Sequence, residues 1–317
     1  MAIDYLRVSV TDRCNLRCVF CRPAGDCDFT RCDQLLRIDE IHRIVRLFAR
    51  LGITRVRITG GEPLLRDDMT ALIAKLAHVP GIRDLSLTTN AVLLERRADQ
   101  MKAAGLARVN VNLPSMEAHN YKEITGFDCF NKVMRGIHKA IDAGLAPLKL
   151  NAVILRGLND DQVTALAAMS IELPVIVRFV EYFATTAGNI PASDYVPNSA
   201  IRATIEKQFG PLTQTVVGYG GGPASYFKMP RSAGSVGFID SRSSVFCRTC
   251  NRLRLTSDGK IKPCLYAAPA CNVRELIRSG MSDEELGSVF RKVLAEKHRY
   301  TKLNSYNEEF CMRKVGG

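Results

Sequence analysis

Residues 6–21 read LRVSVTDRCNLRCVFC, and this stretch contains the pattern that indicates the fold class of the chain. The first five, 6–10, are apolar and β-branched at alternate positions, a pattern typical of a β-strand. Three cysteines follow directly, at Cys14, Cys18 and Cys21. In barrels of parallel strands, the loops after the strands build the active site. The segment therefore predicts a strand that ends in a chemically active loop.

The same strand-and-helix pattern repeats through the first two thirds of the chain. Further strand-like runs occur at 53–58, 85–88, 109–113, 148–155 and 175–180, with helical patterns between them. Ile41, Val45 and Phe48, for example, share one helical face. Repeated strand–helix units require right-handed crossovers and give a parallel sheet. We predict an α/β fold, a partial (βα)6 barrel of the TIM type.

The pattern changes after about residue 214. Residues 218–223, Gly-Tyr-Gly-Gly-Gly-Pro, are typical of a loop. Beyond them we predict a hairpin turn at Asp258-Gly259 and helices near 273–279 and 283–297. We therefore predict a barrel domain over 1–214 and a smaller α+β region over 215–317.

Composition limits the class of protein. The chain has 317 residues, 46% of them hydrophobic, and a net charge of +12. It contains no run of eighteen apolar residues, and its first residues lack the layout of a signal peptide. The positive charge favours an anionic partner, but no Lys/Arg block or RNA-binding signature is present. We expect a cytoplasmic enzyme that binds neither membrane nor nucleic acid.

Cysteine usage indicates metal chemistry. Eleven cysteines in a cytoplasmic protein indicate metal binding or catalysis rather than disulfides. The C-x3-C-x2-C spacing of Cys14, Cys18 and Cys21 supplies three thiolates, which leave one iron of a 4Fe–4S cluster without a protein ligand. That iron can chelate the amino and carboxylate groups of S-adenosylmethionine (SAM). The alternative, a zinc knuckle, needs a fourth ligand that does not stand at knuckle spacing.

A glycine-rich turn follows the second strand. Gly60 and Gly61 allow the backbone to approach a ligand closely, and Glu62 could accept a hydrogen bond from the SAM amino group. Placed one strand after the cysteine loop, Gly60-Gly61-Glu62-Pro63 resembles the SAM-binding motif of the radical SAM superfamily.

A second group of cysteines lies near the other end of the chain. Cys247, Cys250 and Cys264 again form a set of three, which favours a second 4Fe–4S cluster with an open iron. A structural zinc site that recruits Cys271 is the alternative. Arg252 and Arg254 alternate along a predicted strand, so both lie on one face. Two guanidinium groups there suit a polyphosphate, although a solvated edge strand would show the same pattern.

Taken together, these motifs resemble the GTP 3′,8-cyclase family, which catalyses the first step of molybdenum cofactor biosynthesis. The resemblance covers nearly the whole chain. Its markers are residues 9–15, 59–66, 149–151, 178–182 and 250–256, and the pair Gly316-Gly317.

The resemblance implies an activity and partners. Members convert GTP to 3′,8-cyclo-7,8-dihydro-GTP, with SAM and two 4Fe–4S clusters as cofactors. It implies an external electron donor and a product passed to cyclic pyranopterin monophosphate synthase, and it allows a homodimer. It also implies that the Gly316-Gly317 tail enters the barrel.

The resemblance also implies roles for single residues. The expected cluster ligands are Cys14, Cys18, Cys21, Cys247, Cys250 and Cys264. The expected SAM contacts are Phe20, Gly60, Gly61, Glu62, Thr89 and Asn112. The expected GTP contacts are Arg7, Arg57, Lys149, Arg178, Arg252 and Arg254, with Arg55 at a neighbouring family position.

Several positions depart from the family pattern, among them residues 183–186, which lack the usual Met-Pro. Asn112 and Pro114 replace a serine and an aspartate, and Ala91 replaces a glycine. These changes leave open a paralogous radical SAM enzyme that acts on another nucleotide or on a peptide. A non-enzymatic iron–sulfur protein is a third class, but the turn at Gly60–Pro63 argues against it. The cluster, arginine and glycine motifs favour the cyclase.

Overall fold

Six parallel strands form the centre of one sheet. The computed structural model describes residues 3–21, 29–182, 191–218, 222–240, 250–300 and 312–316. In chain order the six strands are β1 (Tyr5–Ser9), β2 (Arg55–Thr59), β3 (Asp84–Thr89), β4 (Arg108–Asn112), β5 (Leu148–Val153) and β6 (Val175–Val180). Each pairs in parallel with the next. The predicted strands are confirmed to within two residues at their ends.

Seven helices accompany these strands. They are α1 (Ile38–Arg50), α2 (Met69–Ala77), α3 (Leu94–Ala103), α4 (Ala118–Thr125), α5 (Phe130–Asp142), α6 (Val163–Glu172) and α7 (Asn198–Phe209). Short 3-10 turns occupy Cys32–Gln34, Pro63–Leu65, Asp160–Gln162 and Ala192–Asp194. The predicted face of α1 is confirmed, since Ile41, Val45 and Phe48 are fully buried. Burial of such faces against the sheet supplies the main favourable free energy of folding.

Six further strands extend both edges of the same sheet. On one side are β7 (Thr213–Thr215), β8 (Ser225–Lys228) and β9 (Ser235–Ile239); on the other are β10 (Arg252–Leu255), β11 (Lys260–Lys262) and β12 (Cys271–Asn272). The order is β12-β11-β10-β1-β2-β3-β4-β5-β6-β9-β8-β7. Among the described strands β12 and β7 are the two ends, as in a partial barrel. The predicted α/β fold with a smaller C-terminal region is confirmed, whereas its division at residue 214 stays a prediction.

The remaining helices pack beside β10–β12. They are α8 (Val273–Arg278), α9 (Asp283–Glu296) and the short α10 (Met312–Val315), with a 3-10 turn at Lys297–Arg299. Ser282 and Glu285 cap the start of α9 reciprocally. Phe290 of α9 stacks on Phe48 of α1, with ring centroids 4.2 Å apart. None of the described helices is long and apolar enough to span a membrane.

Candidate active site

One cavity of about 310 Å³ collects the predicted site residues. The residues at its wall that the sequence singled out are Arg7, Cys14, Cys18, Phe20, Cys21, Arg57, Gly60, Gly61, Glu62, Thr89, Asn112, Lys149, Arg178, Cys250, Arg252, Arg254 and Cys264. The remaining predicted site residue, Cys247, lies outside the described residues. Arg55, at the neighbouring position, pairs with Asp4 at 3.4 Å and is not part of this wall.

The first three cysteines share one short loop. The amide of Cys21 donates to the carbonyl of Cys18 at 2.9 Å, and the amide of Leu16 donates to Cys14 Sγ at 3.4 Å. Burial, together with the nearby Cys21 and Cys14, raises the pKa of the Cys18 thiol well above its usual range. Three neighbouring, half-buried thiolates repel one another, so a positively charged metal group would lower both the desolvation cost and this repulsion.

The donor set is compatible with a 4Fe–4S cluster. Cys14, Cys18 and Cys21 line one cavity from a single loop, and thiolates are the usual ligands of such a cluster. A structural zinc site normally takes four ligands, and this loop supplies three cysteines. Three thiolates would leave one iron of the cluster without a protein ligand.

The two glycines after β2 are required by contact with the cysteine loop. The amide of Gly61 donates to the carbonyl of Thr11 at 2.7 Å, and the amide of Glu62 donates to the carbonyl of Arg13 at 2.7 Å. A Cβ added at Gly61 would lie 2.2 Å from the carbonyl oxygen of Arg13. The loops after β1 and β2 therefore pack backbone against backbone, directly beside Cys14.

Glu62 ties the end of β2 to the end of β3. Its carboxylate accepts from Thr89 Oγ1 at 2.7 Å, from the Asn90 amide at 2.7 Å and from the Leu64 amide at 3.0 Å. Burial raises the pKa of this carboxyl to about 7, although these donors favour the charged form. Three of its roughly four acceptor positions are occupied. Its contact with a SAM amino group stays a prediction.

A row of arginines crosses three neighbouring strands. Arg254 of β10, Arg7 of β1 and Arg57 of β2 stand at one register. Burial, and then the neighbouring Arg254 and Arg57, lowers the pKa of Arg7 well below its usual range. Burial likewise lowers the pKa of Arg57 and of Arg254 to about 10. Like charges side by side on a sheet are unfavourable, so this row is suited to a bound anion.

Lys149 and Arg178 continue the basic wall on β5 and β6. Arg178 donates to Asn151 Oδ1 at 2.9 and 2.5 Å and to Asn110 Oδ1 at 3.0 Å. Lys149 Nζ lies 3.5 Å from the Tyr226 hydroxyl. Burial, followed by the charges of Arg178 and other guanidinium groups, lowers the pKa of Lys149 to about 6. A polyanion in the cavity would restore the charged form of this lysine.

The second group of cysteines lies on the β10 side of the cavity. Burial tends to raise the pKa of Cys250, but the charges of Arg252 and Lys297 outweigh it and lower the value to about 7. Cys264 lines the same cavity. Cys271 on β12 instead packs against the hydrophobic core, and burial raises its pKa to about 11. Cys271 is therefore badly placed to complete a four-cysteine zinc site.

The last described residue reaches the arginine row. The carbonyl of Gly316 accepts from Arg254 Nη1 at 2.8 Å. Gly316 has φ +76°, and a Cβ there would lie 2.2 Å from Thr59 Cγ2. Thr59 and Arg254 both line the cavity. Position 316 therefore accepts only glycine unless Thr59 is displaced. Gly317 lies outside the described residues.

Comparisons with known proteins agree with this geometry. The sequence model of the Radical SAM superfamily matches residues 8–169, and the model named Molybdenum Cofactor Synthesis C matches residues 175–303. The GTP 3′,8-cyclase of Pelotomaculum thermopropionicum is 41% identical over 317 residues, 99% of this chain and 98% of its own. That of Moorella thermoacetica is 39% identical over 316 residues, with the same coverage.

The chain belongs to the GTP 3′,8-cyclase family. Its fold is shared more widely, since a crystal structure of Streptococcus suis SuiB bound to S-adenosylmethionine superposes with a TM-score of 0.64 at 16% identity, covering 91% of this chain and 68% of that one. Membership in the radical SAM superfamily implies SAM and a 4Fe–4S cluster as cofactors.

In this family member, the structure adds residues that the sequence interpretation missed. Asn90 Nδ2 donates to Asn15 Oδ1 at 2.7 Å and lies 3.8 Å from Cys14 Sγ. Lys297 Nζ lies 3.8 Å from Cys250 Sγ and lines the cavity. Asn90 lies between Thr89, an expected SAM contact, and Ala91, which departs from the family pattern, so its position in the sequence could have indicated it. Lys297 comes 47 residues after Cys250, in a helical pattern, and no local signal marks it.

The departures from the family pattern keep the local geometry. Ala91 adopts φ +63°, the conformation that a glycine takes more easily. Its amide donates to Thr89 Oγ1 at 3.0 Å, and the residue is fully buried. Asn112 lines the cavity, and the carbonyl of Pro114 accepts from Asn159 Nδ2 at 2.8 Å.

Proposed function

We propose that the chain converts GTP to 3′,8-cyclo-7,8-dihydro-GTP, the first step of molybdenum cofactor biosynthesis. The observation that carries this proposal is the single cavity that has Cys14, Cys18 and Cys21 at one side and Cys250 and Cys264 at another. The arginine row lies in the same wall. Such a cavity suits a substrate that carries both a base and a triphosphate.

The first cluster would be held by Cys14, Cys18 and Cys21. When bound and reduced, this cluster would supply one electron for the cleavage of SAM to methionine and a radical able to abstract a hydrogen atom from the substrate. The residues that would surround SAM are Phe20, Gly60, Gly61, Glu62, Thr89 and Asn112, all of which line the cavity. Glu62 holds the two strand ends in place through its hydrogen bonds to Thr89 and Asn90.

A second cluster would be held by Cys247, Cys250 and Cys264, and its open iron would supply a binding position for the substrate. The lowered pKa of Cys250 favours the thiolate that an iron ligand requires. Packing of the partly buried Cys271 against the core supports a set of three cysteines over a zinc site of four.

The basic residues would bind and orient the triphosphate. They are Arg7, Arg57, Lys149, Arg178, Arg252 and Arg254. Guanidinium groups bind phosphate oxygens in pairs and so fix their orientation. Asn151 and Asn110 hold the Arg178 guanidinium in position for this contact. The enzyme would take electrons from an external donor and pass its product to cyclic pyranopterin monophosphate synthase.

The direct test incubates the anaerobically reconstituted enzyme with SAM, a reductant and each of the four common ribonucleoside triphosphates. We expect a cyclised product from GTP alone, detected by its mass. Conversion of another nucleotide in place of GTP, or of none, would contradict the cyclase and favour a paralogue.

A substitution tests the triphosphate contact. Arg57→Met should weaken GTP binding roughly ten- to a hundredfold, the loss expected for one charged hydrogen-bonding group. Arg96 is exposed on α3, so Arg96→Ala should bind GTP as the wild type does. GTP affinity is measured by calorimetry on enzymes of equal iron content. Equal affinity in all three proteins would show that the arginine row does not bind the triphosphate.

A further inference from the structure

Residues 312–316, here called the C-terminal segment, depend on tertiary contacts for their position. Helix α10 is a single turn, and an isolated turn of helix is unstable in water. Nevertheless Arg313 and Val315 are buried, with 6% and 2% of their surface exposed. Val315 packs with Leu265 and Tyr266, just after Cys264. Specific contacts must therefore hold this segment beside the cavity.

Two contacts hold the end of the segment. The amide of Ser257 donates to the carbonyl of Lys314 at 3.2 Å, and Arg254 donates to the carbonyl of Gly316 at 2.8 Å. Both donors belong to β10 or to the turn after it. These two hydrogen bonds hold the segment against β10, and neither of them involves the cysteine loop.

Phe29 makes that connection. Its ring is in contact with two guanidinium groups, whose carbon atoms lie 4.7 Å (Arg313) and 5.8 Å (Arg13) from the ring centroid. Arg13 immediately precedes Cys14, and its carbonyl accepts from the Glu62 amide at 2.7 Å. A cation over an aromatic face is held more strongly when it is withdrawn from water, as Arg313 is.

The backbone keeps Phe29 in this place. The amide of the next residue, Thr30, donates to Asp12 Oδ2 at 2.5 Å, and Thr30 is buried. The Phe29 side chain itself is half exposed, with 50% of its surface accessible. The ring therefore contributes its contacts with the two guanidinium groups rather than packing in the core.

We propose that Phe29 is a positioning residue whose ring fastens the C-terminal segment, through Arg313, to the loop that carries the first cysteines. This contact holds Gly316 against Thr59 and Arg254 at the cavity wall. The inference rests on the proposed function only in its consequence for GTP conversion. The position of the segment can be measured independently of turnover.

The test compares Phe29→Leu, which keeps an apolar side chain but removes the aromatic face, with Phe29→Tyr, which keeps the face. Phe127→Leu is the matched control. Phe127 is also exposed, at 38%, and its ring centroid lies 5.9 Å from the guanidinium carbon of Arg17 in the same cysteine loop, so its cation partner lies outside the C-terminal segment. Every variant is reconstituted anaerobically and checked for equal iron content.

The first measurement is the rate at which trypsin cleaves after Arg313 or Lys314, followed by intact mass. Phe29→Leu should be cleaved on the order of tenfold faster than the wild type, because cleavage requires the segment to detach. Phe29→Tyr and Phe127→Leu should match the wild type. Wild-type protection in Phe29→Leu, or equal loss of protection in Phe127→Leu, would overturn the proposal.

The second measurement is GTP conversion together with SAM cleavage in the absence of GTP. Phe29→Leu should convert GTP several-fold more slowly while SAM cleavage without GTP is unchanged, and Phe29→Tyr should restore conversion. Faster trypsin cleavage with full GTP conversion would overturn the positioning role. A wild type that converts no GTP would refute the proposed function, and the trypsin comparison would still decide the contact.

Discussion

At the scale of single residues, the charge of Lys149 depends on what the cavity holds. The groups that act on its amine from the surrounding strands are Arg57, Asp84, Arg108, Arg178 and Tyr226. Arg108 already donates two hydrogen bonds to the Asp84 carboxylate, at 3.0 and 2.6 Å. The Asp84 charge therefore raises the pKa of Lys149 only a little. With a pKa of about 6, Lys149 is neutral above that pH until an anion arrives.

GTP binding should therefore take up one proton and weaken as the pH rises. Between about pH 7.5 and 8.5 the γ-phosphate, with a pKa near 6, is fully ionised, so it does not contribute to the pH dependence of GTP affinity. We expect the affinity of the wild type for GTP to fall roughly tenfold per pH unit in this window. Lys149→Arg keeps its charge, so its affinity should be independent of pH there. Calorimetry at several pH values measures both, and identical slopes in the two proteins would contradict this assignment.

At the scale of elements, the loops after β1 and β2 act as one unit. The carbonyl of Arg13 accepts from the Glu62 amide and leaves no space for a side chain at Gly61. Gly61→Ala should push the cysteine loop outward, because the clash is with backbone and no side chain can move away. We expect loss of SAM binding and of about half of the reconstituted iron. Iron analysis and equilibrium dialysis with SAM measure these effects.

Gly218→Ala provides the control for that substitution. A Cβ at Gly218 would meet nothing within 4 Å, so iron content and SAM binding should equal those of the wild type. Full iron and normal SAM binding in Gly61→Ala would show that the cysteine loop tolerates displacement.

At the scale of the whole molecule, the sheet brings two distant cysteine groups to one cavity. Strand β10 pairs in parallel with β1, so Arg252 lies beside Tyr5 although 247 positions separate them in the chain. We expect about eight irons per chain after anaerobic reconstitution, four for each 4Fe–4S cluster. Replacing Cys14, Cys18 and Cys21 with alanine should remove half of this iron and all SAM cleavage. Stoichiometric zinc at Cys250 and Cys264 would instead contradict the second cluster.

Much of this molecule was predictable from local patterns. The strands of the parallel sheet were placed to within two residues, because apolar β-branched runs between polar turns have few other stable conformations. The hairpin turn at Asp258-Gly259 was also predicted and joins β10 to β11. Arg252 and Arg254 both line the cavity, as their alternation on one strand face indicated.

The sequence by itself determined the order of strands and helices and the chemical types of the site residues, because both depend on neighbours a few positions away. Only the tertiary structure decided that Cys264 lines the cavity while Cys271 packs against the core, and that Phe29 contacts Arg313. These outcomes depend on the pairing of β10 with β1. That pairing brings together residues more than two hundred positions apart in the sequence. No local periodicity carries that information, since it arises from the pairing of two strands that are far apart in the sequence.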